Sequence, residues 1–100
     1  MFGMFFAIGD RYFIIKEKIV PKVEIYTRPG CGYCALAKQL LNKRMLEFTE
    51  YDVYADPVRK DELARRVRYQ TYPQIFINDL PVGGYDDLAR LDQQAKLSGF

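Results

Sequence analysis

The segment RPGCGYCALAKQLL, Arg28 to Leu41, places both cysteines of the chain three residues apart, where a strand-like pattern gives way to a helix-like one. The preceding KVEIYT alternates Val23 and Ile25 with polar neighbours and reads as a strand ending at Thr27, after which Arg28, Pro29 and Gly30 turn the chain. From Cys34 to Leu46 the apolar residues Leu36, Ala37, Leu40, Leu41 and Met45 recur at helical spacing, with Lys38, Asn42 and Lys43 on the opposite face. A strand that delivers two thiols onto the start of a helix makes a β-α unit the centre of any fold this chain adopts.

The remaining pattern extends that unit. FTEYDVY reads as a second strand, and Asp56-Pro57 opens a second helix carrying Val58, Leu63, Ala64 and Val67. PQIFIND and DLPVGG are short runs close enough to form a hairpin. YDDLARLDQQAKL closes the chain as a helix, with Asp86 or Asp87 placed to cap its amino end. No repeat or linker interrupts the order, so the expected class is α/β: a four-stranded mixed sheet flanked by helices over residues 22–100. With 49% apolar and 15% aromatic residues in a chain of 100, one core forms without disulfides.

Residues 1–21 stand apart as an amino-terminal extension. FFAI and RYFII around Gly9-Asp10 read as two short strands, with a short amphipathic helix as the other option. Asp10 and Arg11 break the apolar run well short of the roughly 20 residues a membrane span needs, and no basic segment precedes it as in a secretion signal. No membrane association is expected. A net charge of +2 is too small for a nucleic-acid surface, so no nucleic-acid partner is expected either. One close cysteine pair in a domain with an adequate core belongs in a reducing compartment, and the cytoplasm is the expected location.

Three uses of the cysteines can be weighed. A zinc site within one chain needs about four ligands, and with no histidine only Cys31 and Cys34 are at hand. A structural disulfide across three residues closes too small a loop to stabilise much. A redox pair remains. Cys31 should sit exposed at the amino end of the helix, where unpaired backbone N–H groups and the helix dipole favour the thiolate. Cys34, one turn inside and more buried, suits resolution of a disulfide formed by Cys31. Lowering a thiol pKa from near 8.5 to about 5 raises the ionised fraction at pH 7 roughly thirtyfold, while nucleophilicity falls by about as much. The gain therefore lies in departure, because a low-pKa thiol leaves a mixed disulfide faster.

CGYC after a strand, TYPQIFI some forty residues on and GGYDDL close behind it together resemble a glutaredoxin, over roughly Lys22 to Phe100. The resemblance implies a thioredoxin-like fold, a dithiol active site, and reduction of glutathionylated proteins and protein disulfides with glutathione as co-substrate and no tightly bound cofactor. It implies that Cys31 forms the mixed disulfide, Tyr33 flanks it, and Thr71, Tyr72 and a cis Pro73 hold the cysteinyl part of glutathione. Gly84, Tyr85 and Asp86 would take the γ-glutamyl end, and Arg28 and Gln70 the glycine carboxylate. Each also has a plain structural reading: Asp86 as a helix cap, Gly83 and Gly84 as a turn, Arg28 as a solvated charge. Tyr26, Phe76 and Ile77 are expected in the core, and Arg65, Arg66 and Arg68 on a solvated helix face balanced by Asp61 and Glu62.

Three positions depart from the common family pattern. Arg28 stands for lysine and keeps the charge; Tyr72 stands for valine and alters the groove rim; Gly32 stands for proline. In this family the last change accompanies members that bridge a two-iron two-sulfur cluster between two subunits through the first cysteine and glutathione. Cluster binding by a dimer, with Cys31 as ligand, is therefore the alternative to a monomeric oxidoreductase.

Overall fold

The computed structural model describes residues 14–15 and 18–97. Its elements are β1 (Ile14–Ile15), β2 (Lys18–Ile19), β3 (Val23–Thr27), α1 (Gly32–Lys43), β4 (Thr49–Asp52), α2 (Pro57–Arg66), β5 (Gln74–Ile77), β6 (Leu80–Gly83) and α3 (Tyr85–Gln93). β1 and β2 form a separate antiparallel pair, matching Ile14 with Ile19. The expected turn at Gly9-Asp10 lies outside the described residues.

The four-stranded sheet has the order β4-β3-β5-β6, parallel between β3 and β4 and antiparallel elsewhere. This is the thioredoxin-like arrangement expected above. Alternate residues of the central strands serve opposite faces. Val23, Ile25, Ile75 and Ile77 pack with Ala37 and Leu41 of α1 and Leu88 of α3. Tyr26 and Phe76 point the other way and pack with Val53 and with Leu63 of α2. Helices cover both faces, so β3 is buried at all five positions, including the polar Glu24 between Val23 and Ile25.

Both helix faces differ in part from the expected ones. Of the apolar residues expected along α1, Ala37 and Leu41 are buried but Leu36, and Met45 past its end, are exposed. Met45 lies beyond the helix end with a φ of 60°, where it closes the last turn. On α2 only Leu63 is buried, while Val58 is exposed at the helix start. α3 ends at Gln93 instead of running on to Leu97. Ala95, at a φ of 58°, reverses the chain, and Leu97 turns back into the core.

Arg66 is the main correction to the expected solvated face. It lies over the Phe76 ring at 3.7 Å, donates to the Tyr26 hydroxyl at 2.8 Å and reaches Glu24 at 3.2 Å. Tyr26 donates in turn to Glu62 at 2.6 Å, and Glu62 pairs with Arg59, which covers the Tyr51 ring at 4.1 Å. Two arginines thus seal the α2 side of the sheet with their stems and planes, where a wholly apolar helix face would otherwise be needed.

The topology decides where a site can form. β5 runs antiparallel to β3, so Gln74 pairs with Tyr26 and the start of β5 lies at the end of β3. β6 runs back again, bringing Gly83 beside Ile75. The start of α1, the loop before β5 and the β6–α3 junction therefore meet at one end of the sheet.

Candidate functional site

Cys31 is the N-cap of α1, with extended backbone, and its Sγ accepts the Cys34 N–H at 3.2 Å. The Cys31 sulfur is thereby held by a hydrogen bond from the first helical turn. The Cys31 carbonyl accepts the Ala35 N–H at 3.3 Å, so backbone and side chain both serve as cap. Gly32, the first helical residue, faces open space, and Tyr33 after it is exposed. Cys31 is partly exposed and Cys34 is 3% exposed, and both are free thiols. Burial, and secondarily the hydrogen bond with Cys31, pushes the Cys34 thiol up to about 12. At neutral pH Cys34 keeps its proton.

Beside the pair runs a groove of about 270 Å³ bordered by Tyr33, Thr71, Tyr72, Pro73, Gly84, Tyr85, Asp86 and Asp87. Three separate pieces of chain build it. The Tyr72-Pro73 peptide is cis and Pro73 is fully buried, while Thr71 is tied down by the Gln74 amide, which donates to its hydroxyl at 2.9 Å. Across the groove, Gly84 brings its backbone close enough that a Cβ there would sit 3.6 Å from the Pro73 carbonyl. The Tyr33 and Tyr85 rings stack with centroids 6.1 Å apart, joining the start of α1 to the start of α3.

Of the two expected capping residues of α3, Asp87 serves and Asp86 does not, and the N-cap position itself is a glycine. Gly84 is the N-cap, and Asp87, three residues on, accepts the Gly84 N–H at 3.0 Å while its other oxygen accepts from Arg90 at 3.0 Å. Those bonds, the Gly84 N–H first and Arg90 next, hold the Asp87 carboxyl below its ordinary range. Asp86 is exposed and free of this duty, with its carboxylate at the rim. The glycine followed at the third position by an acidic residue is capping-box spacing, a signal that could have singled out Asp87.

Two expected site residues lie off the groove. Arg28 is exposed, its guanidinium within 3.4 Å of the Pro29 carbonyl; its charge reaches the Cys34 thiol and the Tyr72 phenol. Gln70 is exposed in the loop before Thr71 and borders no part of the groove. A further hollow of about 320 Å³ between β6 and α3 is lined by Ile77, Leu80, Val82 and Leu91 and contains neither thiol. Among the described residues no three His, Cys, Asp or Glu side chains gather as a metal site. No described helix is long and apolar enough to cross a membrane.

Two thiols of unequal burial at the amino end of the first helix of a thioredoxin-like fold define the class of thiol–disulfide oxidoreductases. A glutaredoxin family model matches residues 23–82. Glutaredoxin from Pseudomonas aeruginosa is 44% identical over 81 residues, covering 81% of this chain and 96% of that protein. Glutaredoxin 3 of Escherichia coli K12 is 40% identical over 75 residues, 75% of this chain and 90% of its own. The solution structure of glutaredoxin from Brucella melitensis is 49% identical and superimposes with a TM-score of 0.67, covering 78% of this chain and 85% of that one. The chain belongs to the glutaredoxin family.

Proposed function

We propose that the protein is a dithiol glutaredoxin that reduces glutathionylated proteins and protein disulfides at the expense of glutathione, with residues 22–100 as the working domain. The observation that carries this reading is a groove that runs from Tyr33, two residues past the partly exposed Cys31, along the cis Tyr72-Pro73 peptide to the amino terminus of α3.

The Cys31 thiolate attacks the glutathionyl sulfur of a substrate, and the substrate cysteine leaves as a thiolate that takes a proton from solvent. Glutathione, as thiolate, then attacks the glutathionyl sulfur on Cys31, giving glutathione disulfide and returning Cys31. With a protein disulfide, Cys31 forms the mixed disulfide with the protein. Cys34 loses its proton and attacks Cys31 Sγ, the reduced protein departs, and glutathione later reduces the Cys31–Cys34 bond. Each route moves two electrons from thiols to a disulfide.

The residues fit glutathione part by part. The Tyr72 backbone, set by Thr71 and Pro73, would pair with the cysteinyl unit like an added strand. The γ-glutamyl carboxylate would meet the N–H groups of Tyr85 and Asp86 at the start of α3, and its amine the Asp86 carboxylate. Tyr33 flanks the sulfur, and Arg28 with Gln70 would receive the glycine carboxylate. Such chemistry needs glutathione kept reduced around the protein, which places its work in the cytoplasm.

The test is reduction of the mixed disulfide of glutathione with 2-mercaptoethanol. Cys31→Ser should abolish it and Cys34→Ser should keep a substantial part, because glutathione itself resolves the intermediate. Both variants should fail with a protein disulfide. Equal inactivity of the two variants on the small substrate would sink the division of roles.

A further inference from the structure

Outside the groove lining, and near enough to Tyr72 for its phenol to act on that of Tyr72, stands Tyr54, which is 66% exposed. Its position is built. The Val53 N–H donates to the Thr27 carbonyl at 3.0 Å, which binds the end of β4 to the residue before Arg28. The Asp52 carboxylate accepts the Tyr54 and Ala55 N–H groups at 2.9 and 3.2 Å and fixes the turn that presents the ring. Tyr72 packs against the buried cluster containing Val53, and it also borders the groove. It is thus a wall shared by the groove and the Tyr54 side. Arg28 is exposed and near enough for its charge to act on the Tyr72 phenol, and among the described residues no carboxylate pairs with it.

We infer that Tyr54, the outer face of Tyr72 and Arg28 form the surface that takes the protein half of a substrate: an extended segment with an aromatic residue beside its cysteine and a carboxylate next to that. The inference rests on Cys31 being the attacking thiol. An exposed tyrosine held by a rigid turn offers a large apolar area with little side-chain entropy to lose, and Arg28 supplies the charge that an acidic neighbour would complement. The surface is continuous with the groove through Tyr72, so a segment disulfide-linked to Cys31 would lie across both.

The experiment follows single-turnover reaction of the reduced protein, without glutathione, with peptides carrying cysteine as a mixed disulfide with thionitrobenzoate. Cys31 attacks the peptide sulfur, coloured thionitrobenzoate leaves, and Cys34 then releases the peptide thiol. Peptides with Glu-Phe or Gly-Gly before the cysteine are compared in native protein, Tyr54→Ala and Tyr54→Phe. The Glu-Phe peptide should react about fivefold to tenfold faster than the Gly-Gly peptide with native protein, as an aromatic contact allows. Tyr54→Ala should lose the larger part of that preference, the part Arg28 gives the glutamate remaining, Tyr54→Phe should keep it, and Gly-Gly rates should stay within about twofold throughout. No preference in the native protein, or equal loss on both peptides in Tyr54→Ala, overturns the inference. So does a native dimer that Tyr54→Ala dissociates on sedimentation, since the face would then serve a second copy. Activity on the small glutathione mixed disulfide is read separately, so glutathione use and peptide preference can fail independently.

Discussion

Gly83 and Gly84 look alike in the sequence, yet they do different work. Gly83 has a φ of 114°, and a Cβ there would run into the carboxylate of Asp87. Gly84 has an extended backbone, and a Cβ there would find ordinary contact distance. Gly83→Ala should therefore push Asp87 off the Gly84 N–H, costing about 2–3 kcal/mol from a strained φ and a lost cap bond. Its KM for glutathione mixed disulfides should rise with little change in kcat, because the start of α3 is disturbed and the thiols are not. Gly84→Ala should cost less stability, and denaturant midpoints of the two variants decide the matter. Most groove residues were legible because CGYC, TYPQIFI and GGYDDL resemble the motifs of the glutaredoxin family, which implied their places. Tyr54 was not, since no motif contains it; only the pairing of β4 with β3 and the turn at Asp52 bring it near.

At the level of elements, periodicity, composition and turn signals together located the strands and helices of the sheet domain, but they could not say which residues a neighbour would cover. Val58 and Met45 fit an apolar stripe and are exposed, one at the start of α2 and one beyond the end of α1. Arg66 fits a charged run and instead lies over Phe76. The reason is that α2 buries only Leu63 and fastens the rest of its face through the Tyr26 hydroxyl, between Glu62 and Arg66. Tyr26→Phe keeps the ring contacts with Tyr51 and Phe76 but removes both hydrogen bonds to charged partners. A loss of about 1–3 kcal/mol is expected in urea unfolding. Reduction of small glutathione mixed disulfides should be nearly unchanged, since no step uses Tyr26. An equally large activity loss would mean that α2 helps to set the site.

For the molecule as a whole, stability should form a plateau in pH with two distinct shoulders. On the alkaline side, burial raises the Tyr26 phenol from 10.0 to about 12 and the Cys34 thiol from 9.0 to about 12. A folded-state pKa above the unfolded value for a group that ionises to an anion means stability present below the unfolded pKa and lost between the two. Tm should therefore begin to fall above about pH 9, and Cys34→Ala should remove part of that fall. On the acid side, Glu62 is held low by Tyr26 and Arg59, Asp87 by Gly84 and Arg90, and Asp92 by Arg44. Their contribution is present above the ordinary carboxylate range and lost as pH falls below it. Calorimetry of the reduced protein across pH 3 to 11 checks both shoulders; a Tm still level at the alkaline end would overturn the first. The Cys34 N–H bond to Cys31 Sγ links folding to electron affinity through a closed cycle. A hydrogen bond stronger to a thiolate than to a disulfide sulfur stabilises the reduced fold, and the same increment makes the protein harder to oxidise, by roughly 20 mV for each kcal/mol. The cap that starts α1 therefore sets a limit on how strong a reductant this chain can be.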